Sequence, residues 1–246
     1  MNKIGIMGGT FNPIHTAHLI LAEEAYEQLG LDKILFMPSK KPPHKLNEDI
    51  VSDEHRVNMI ALSIQGNEHF ELSTMELERE GITYTSDTLR ELTSSLQFPP
   101  SAESSRAAVR ISPAASASST KTEQSTRLKQ SAVLTPQAKS MKEREYYFIV
   151  GGDSLFMMES WWEPEVIFGL AHIVVAIRGE AKEELKDKIA YLTDKYHASI
   201  HLLHTPNLEI SSHELRRSRK EGKSIRYYVP ELVYQYIVDN DLYLIQ

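Results

Sequence analysis

Six short apolar runs recur along the chain with helix-like stretches between them: residues 3–7 (KIGIM), 33–37 (KILFM), 69–72 (HFEL), 146–150 (YYFIV), 172–177 (HIVVAI) and 200–203 (IHLL). A strand followed by a helix and another strand comes back parallel to the first, and a sheet built of such units is covered on both faces. The spacing predicts helices over about residues 18–28, 52–65, 86–96, 155–158, 180–196, 212–221 and 230–240. In the first of these Leu19, Ala22, Ala25, Tyr26 and Leu29 recur at helical spacing, and Gly30 closes it. The fold class is therefore α/β, a doubly wound parallel sheet. With 246 residues, 41% of them hydrophobic, the chain suits one domain with a sizeable core.

One segment breaks the alternation. Residues 97–142 are rich in Ser, Ala, Thr, Pro and Lys, carry few large apolar side chains and show no sustained period. Such a stretch cannot bury enough surface to offset the entropy of ordering it. It is predicted to be a disordered, low-complexity insertion in a domain that otherwise runs from residue 1 to 246.

In sheets of this kind ligands bind beyond the carboxyl ends of the strands, where the strand order reverses. Directly after the first strand stands GGTFNPIHTAH, residues 8–18. Gly8 and Gly9 let the backbone come close to a ligand, and the helix that follows offers free N–H groups and its positive dipole end to an anion. His15 and His18, three residues apart, can face one bound group from the turn and from the first helical turn. The spacing fits neither GxGxxG nor GxxxxGK[ST], so a different phosphate site is encoded.

Further segments fall at strand ends or helix starts. In YYFIVGGDSL, Gly151 and Gly152 permit close approach, and Asp153 either accepts from ribose hydroxyls or caps a helix. EISSHELRRSRK sets Ser211 and Ser212 at a helix start with Arg216 one turn in, which is either a polyphosphate cradle or a capped surface helix. Thr85 of TYTSDTL stands just ahead of a helix whose amides suit a small carboxylate, and Trp161 and Trp162 either stack on a planar ring or pack in the core. The PSKKPPHK loop, with Lys40, Lys41 and His44, either neutralises a phosphate or is a solvated charge run.

Taken in order, these segments resemble the nucleotidyltransferases that carry the HxGH motif, in the GGTFDPxHxGH form of the bacterial nicotinate-nucleotide adenylyltransferases. The resemblance runs from Lys3 to Leu244 apart from the 97–142 stretch, and includes the IxGxDS, ISSTxIR, TYTxxT and W[YW] motifs. Asn12 stands where Asp is usual, Ala17 where Gly is usual, and His213 where Thr is usual. A helix at DEHRVNMI, with Arg56, also matches an Arg-containing helix of the family. The resemblance implies a Rossmann-like fold and the transfer of the adenylyl group of ATP to nicotinate mononucleotide, giving nicotinate adenine dinucleotide and pyrophosphate in NAD biosynthesis.

It implies roles as well. His15, His18 and Arg216 would be catalytic; Gly8, Gly9, Thr10, Phe11, Gly151, Asp153, Ser211 and Ser212 would join them around ATP. Lys40, Lys41, His44, Thr85, Trp161 and Trp162 would bind the mononucleotide. Mg²⁺ would arrive on the ATP phosphates, with no dedicated protein cage. The alternatives are a sibling enzyme acting on nicotinamide mononucleotide or phosphopantetheine, and a nucleotide sensor without catalysis.

Composition narrows the partners. A formal charge of −7 argues against a general nucleic-acid surface. Without cysteine there is no disulfide, thiolate metal site or thiol nucleophile. No apolar run approaches a membrane span and the first residues carry no cleavable leader pattern, so the expectation is a cytoplasmic protein with no membrane partner. Its oligomeric state, a homo-oligomer included, is left open.

Overall fold

A computed structural model of the chain describes residues 2–40, 50–94, 144–178 and 181–244. All six predicted runs are strands: β1 (Asn2–Gly9), β2 (Lys33–Pro38), β3 (Phe70–Leu72), β4 (Arg144–Gly151), β5 (His172–Arg178) and β6 (Ile200–Thr205). They form one parallel sheet in the order β3-β2-β1-β4-β5-β6. Between β1 and β4 the order reverses direction, so the carboxyl ends of these two strands flank the crevice such a sheet offers a ligand.

The helices among the described residues are α1 (Thr16–Leu29), α2 (Asp53–Ile64), α3 (Met75–Glu78), α4 (Thr85–Ser94), α5 (Gly152–Met157), α6 (Pro164–Leu170), α7 (Glu183–Tyr196), α8 (Ser212–Lys220) and α9 (Glu231–Asp239). Successive strand residues point to opposite faces, and each face has its own core. Met7, Phe36 and Val174 join one cluster; their neighbours Ile6, Met37 and Val175 join the other. The first cluster takes in Ala22 and Ala25 of α1, Met59 and Ile60 of α2, Leu215 of α8 and Val233 of α9. The second takes in Leu89 of α4, Leu155 of α5, Ile167 of α6 and Leu192 of α7. Coverage of both faces makes this the doubly wound, Rossmann-like arrangement expected from the alternating pattern.

Several boundaries differ from the sequence expectation. Helix α1 starts at Thr16 rather than near residue 18, because His15 is already its extended N-terminal cap residue and His18 sits within the first turn. Helix α5 starts at Gly152, not Leu155, and α7 at Glu183. The proposed insertion, residues 97–142, lies outside the described residues, as do Lys41 and His44. On either side of that stretch, the Tyr146 hydroxyl of β4 donates to the Leu92 carbonyl of α4 at 2.8 Å in a buried bond. No helix among the described residues is long and apolar enough to cross a membrane.

Candidate active site

At the switch point a cleft of about 660 Å³ opens between the start of α1, the β4–α5 turn and the carboxyl ends of β5 and β6. His15 and His18 line one side and Gly151, Gly152 and Asp153 another, while Ala176, Ile177, Leu208 and Ile210 supply apolar wall. Ala17 lines it too, so the methyl group that replaces the family's glycine faces the cleft.

The two histidines form a built pair. Their rings stack at 3.7 Å between centroids, and the backbone N–H of His15 donates to Nδ1 of His18 at 3.2 Å. A neutral imidazole has one donor and one acceptor nitrogen, so this bond puts the His18 proton on Nε2. His15 is buried, and its Nδ1 has no partner within the protein. Burial holds the His15 imidazole down to about pKa 4, and pushes His18 well below the ordinary range, with repulsion from His15 adding to the effect. Both rings are therefore neutral at pH 7.

The loop from Thr10 to Pro13 is gripped from behind. Arg56, fully buried in α2, donates through Nη1 to the Thr10 carbonyl at 2.8 Å and through Nη2 to the Lys40 carbonyl at 3.3 Å and to Asp53 at 2.5 Å. Arg216, 8% exposed, donates to the Asn12 carbonyl at 2.8 Å, and the Ser212 hydroxyl donates to the Pro13 carbonyl at 2.8 Å. The Asn12 side-chain oxygen accepts from the Tyr243 hydroxyl at 2.9 Å and from the Val51 N–H at 3.3 Å. The Asn12–Pro13 peptide is cis. Helix α8 begins beside this loop with Ser211 as its cap, whose Oγ accepts from the Glu214 N–H at 3.2 Å.

The predicted residues thus fall in distinct settings. His15, His18, Gly151 and Asp153 meet in the cleft, and Ser212 and Arg216 reach its histidine loop. Asp153 is the second residue of α5, whose cap is Gly151, so its carboxylate is not used as a helix cap. The Phe11 side chain is in the core instead of the cleft, at a left-handed φ of 48°. Gly8 is exposed at the end of β1, and Thr10 presents its carbonyl to Arg56. Arg56 and Tyr243 are the residues that sequence patterns undervalue. A lone Arg in a helix and a Tyr near the C-terminal end carry no local signal for contacts with residues 10–12.

A second group lies beyond β4. Trp161 is half-buried against the core, edge-on to Phe148 at 6.2 Å, whereas Trp162 is 58% exposed and leans on Tyr84 at 5.5 Å. Thr85 is the first residue of α4. Arg90 of α4 grips Glu163, just ahead of α6, with a fork of 2.5 and 2.8 Å, which holds the Glu163 carboxyl below its usual range and ties the tryptophan turn to α4. One turn earlier Glu159 accepts from Lys188 at 2.5 Å, Lys195 at 2.8 Å, and Tyr191 and Tyr196 at 3.2 Å each. Lys40 donates to the Arg79 carbonyl.

A parallel sheet with paired histidines and a glycine turn meeting at its switch point defines an α/β protein built to hold a nucleotide by its phosphates. Comparison with known proteins narrows the class. The cytidylyltransferase-like family matches residues 6–218. A protein of Lachnoclostridium phytofermentans named probable nicotinate-nucleotide adenylyltransferase is 43% identical over 245 residues, 99% of this chain and 100% of that one. One of the same name from Clostridium botulinum is 34% identical over 245 residues, 99% and 98% of the two chains. Among solved structures, Plasmodium falciparum nicotinic acid mononucleotide adenylyltransferase, complexed with NaAD, superposes with a TM-score of 0.65 at 19% identity, covering 99% of this chain and 98% of that one, a likeness of fold. The chain belongs to the cytidylyltransferase-like family and, within it, to the nicotinate-nucleotide adenylyltransferases.

Proposed function

We propose that the protein joins ATP to nicotinate mononucleotide, forming nicotinate adenine dinucleotide and releasing pyrophosphate, as one step of NAD biosynthesis. The observation that carries the chemistry is the His15–His18 pair, neutral, stacked, and with the His18 proton fixed on Nε2 at the cleft. A phosphate oxygen of the mononucleotide attacks the α-phosphorus of ATP, the new P–O bond forms and the bond to pyrophosphate breaks. No protein nucleophile is required. The work is alignment, and donors aimed at charge that grows on the phosphate oxygens.

His18 Nε2–H is the donor for the α-phosphate. His15 stands next to it, and the start of α8, where the helix dipole favours anions, takes the departing β- and γ-phosphates, with Ser212 and Arg216 fixing that helix start against the histidine loop. Asp153 accepts from the ribose, and the exposed face of Trp162 beside Tyr84 receives the pyridine ring, with the amides of the α4 start for its carboxylate. Mg²⁺, when bound, would supply charge neutralisation of the polyphosphate. It would arrive on the ATP phosphates, with Glu184 the cleft carboxylate that would meet its waters, and no cluster of three acidic or His side chains gathers among the described residues. That donor set fits an ion that keeps most of its waters.

The experiment is pyrophosphate release from ATP with nicotinate mononucleotide, nicotinamide mononucleotide or phosphopantetheine as acceptor. The acid should exceed the amide by at least about tenfold in kcat/KM, since the amide leaves a buried donor unpaired at a cost of about 1–3 kcal/mol. Equal values for acid and amide remove the carboxylate pocket. Release without any acceptor removes the transfer reaction.

A further inference from the structure

The second glycine of the turn has an odd environment. A Cβ built on Gly9 would stand 3.1 Å from Cζ of Phe11 and 3.3 Å from both its Cε atoms, closer than side chains pack without a shift. Gly9 is not in the left-handed region, so its backbone conformation does not call for glycine. The ring of Phe11 does. Phe11 itself is only 2% exposed and holds a left-handed φ of 48°, a conformation that a bulky residue adopts only where its surroundings fix it.

What the ring reaches from there is His18, edge to face at 5.1 Å and 68°. Behind it lies Phe36 at 6.0 Å, and behind that Phe70 at 5.1 Å, so an aromatic column runs from the sheet to the histidine. His18 is then fixed on three sides: Phe11 against its ring, His15 stacked on its face, and the His15 N–H on Nδ1. Only Nε2 remains uncommitted.

We infer that Phe11 is a positioning residue for His18, and that Gly9 is glycine to admit the Phe11 ring rather than to admit a phosphate. The inference rests on the reading of His18 as the donor to the transferred phosphate. Phe11 thereby aims Nε2 and walls the imidazole from water, and the left-handed backbone at position 11 is what turns its ring back over Gly9. The low pKa of His18, set first by burial, accords with that apolar wall.

The test is a double-mutant cycle of Gly9→Ala and Phe11→Leu, with His18→Ala as control, followed by steady-state kinetics in ATP and in nicotinate mononucleotide. Each single variant should lower kcat about tenfold while KM for ATP moves less than about threefold, and the double variant should be no slower than about the worse single, because both changes act through one ring. In Phe11→Leu the acid limb of the kcat profile, and the ¹⁵N titration of His18, should shift upward towards the ordinary histidine range as water reaches the ring. A merely structural loss would leave that limb in place. If Phe11→Leu fails to fold by circular dichroism, Phe11→Met replaces it, and Gly9→Ala alone still reports the kcat-against-KM split. Costs that multiply in the double variant, a Gly9→Ala effect confined to KM for ATP, or an unmoved acid limb each overturn the proposal. Unchanged turnover in His18→Ala would instead overturn the reading of His18 beneath it.

Discussion

Burial of a neutral histidine makes stability depend on pH in a calculable way. His15 has a folded pKa of about 4, against 6.5 for an exposed imidazole, and desolvation is the cause. As pH falls through 6.5 the unfolded chain takes up a proton here that the folded chain refuses, so stability is lost with acidification. The loss begins near 6.5 and levels off below about 4. At 1.36 kcal/mol per unit the full effect is about 3 kcal/mol, most of it spent by pH 4.5. Comparing urea unfolding of the wild type with His15→Gln at pH 7 and pH 4.5 isolates this contribution, since Gln does not titrate. The wild type should lose about 2–3 kcal/mol more than the variant between the two pH values. His18 and His201, both lowered, pull in the same direction but remain in either protein. Part of the His18 shift comes from His15 itself, so its removal widens the gap rather than closing it. Stability curves that stay parallel within about 0.5 kcal/mol would refute the buried neutral imidazole.

Arg56→Met should leave the Thr10 and Lys40 carbonyls without their donor, at about 1–3 kcal/mol each, and lower the thermal midpoint by about 2–4 °C per kcal/mol, measured calorimetrically. Arg56→Lys, which keeps the charge but loses the fork, should recover less than half of it. Trp162→Ala should raise KM for nicotinate mononucleotide at least about fivefold and leave KM for ATP within about twofold, because the ring lies outside the cleft residues; equal shifts in both would remove it from the acceptor side. We also propose that residues 97–142 interrupt a single domain. Replacing them with a short Gly/Ser linker should leave turnover and midpoint nearly unchanged, since loop length costs only about 0.6 kcal/mol per doubling and the Tyr146–Leu92 bond already joins the flanking elements. Lost turnover with an intact circular dichroism spectrum would give that stretch a role in the reaction.

The sheet was legible because its central strands, β4 and β5 above all, are buried on both faces, which writes a near-continuous apolar run such as HIVVAI into the chain. Helix starts were less so. The α1 start escapes the pattern because His15, not a Ser, Thr or Asp, occupies the cap position, and the rules of helix entry look for those side chains. Helix α3, four residues long, has no period to detect. Motif order alone pairs GGTFNPIHTAH with EISSHELRR; what joins them physically is a pair of contacts at sequence separations of 204 and 199, from Arg216 to Asn12 and from Ser212 to Pro13. The motif groups Phe11 with the nucleotide contacts, while its ring lies in the core. A motif records which residues act together without recording which way each side chain points.

The direction of the carbonyls around that loop explains why basic side chains from two distant helices converge on it. Thr10, Asn12 and Pro13 each give their carbonyl to a donor behind the loop: Arg56 of α2, then Arg216 and Ser212 of α8. Turned the other way, those oxygens would face the cleft and repel a polyphosphate. Bound as they are, they compensate two buried guanidinium groups, while the neutral imidazoles supply donors but no charge of their own. Substituting Arg216 therefore acts on the loop first, because the Asn12 carbonyl loses this donor and the loop loses a reason to face away. That loop contact separates Arg216 from the exposed Arg217 next to it, whose partners are Glu214 and Glu221 on its own helix and the turn that ends it.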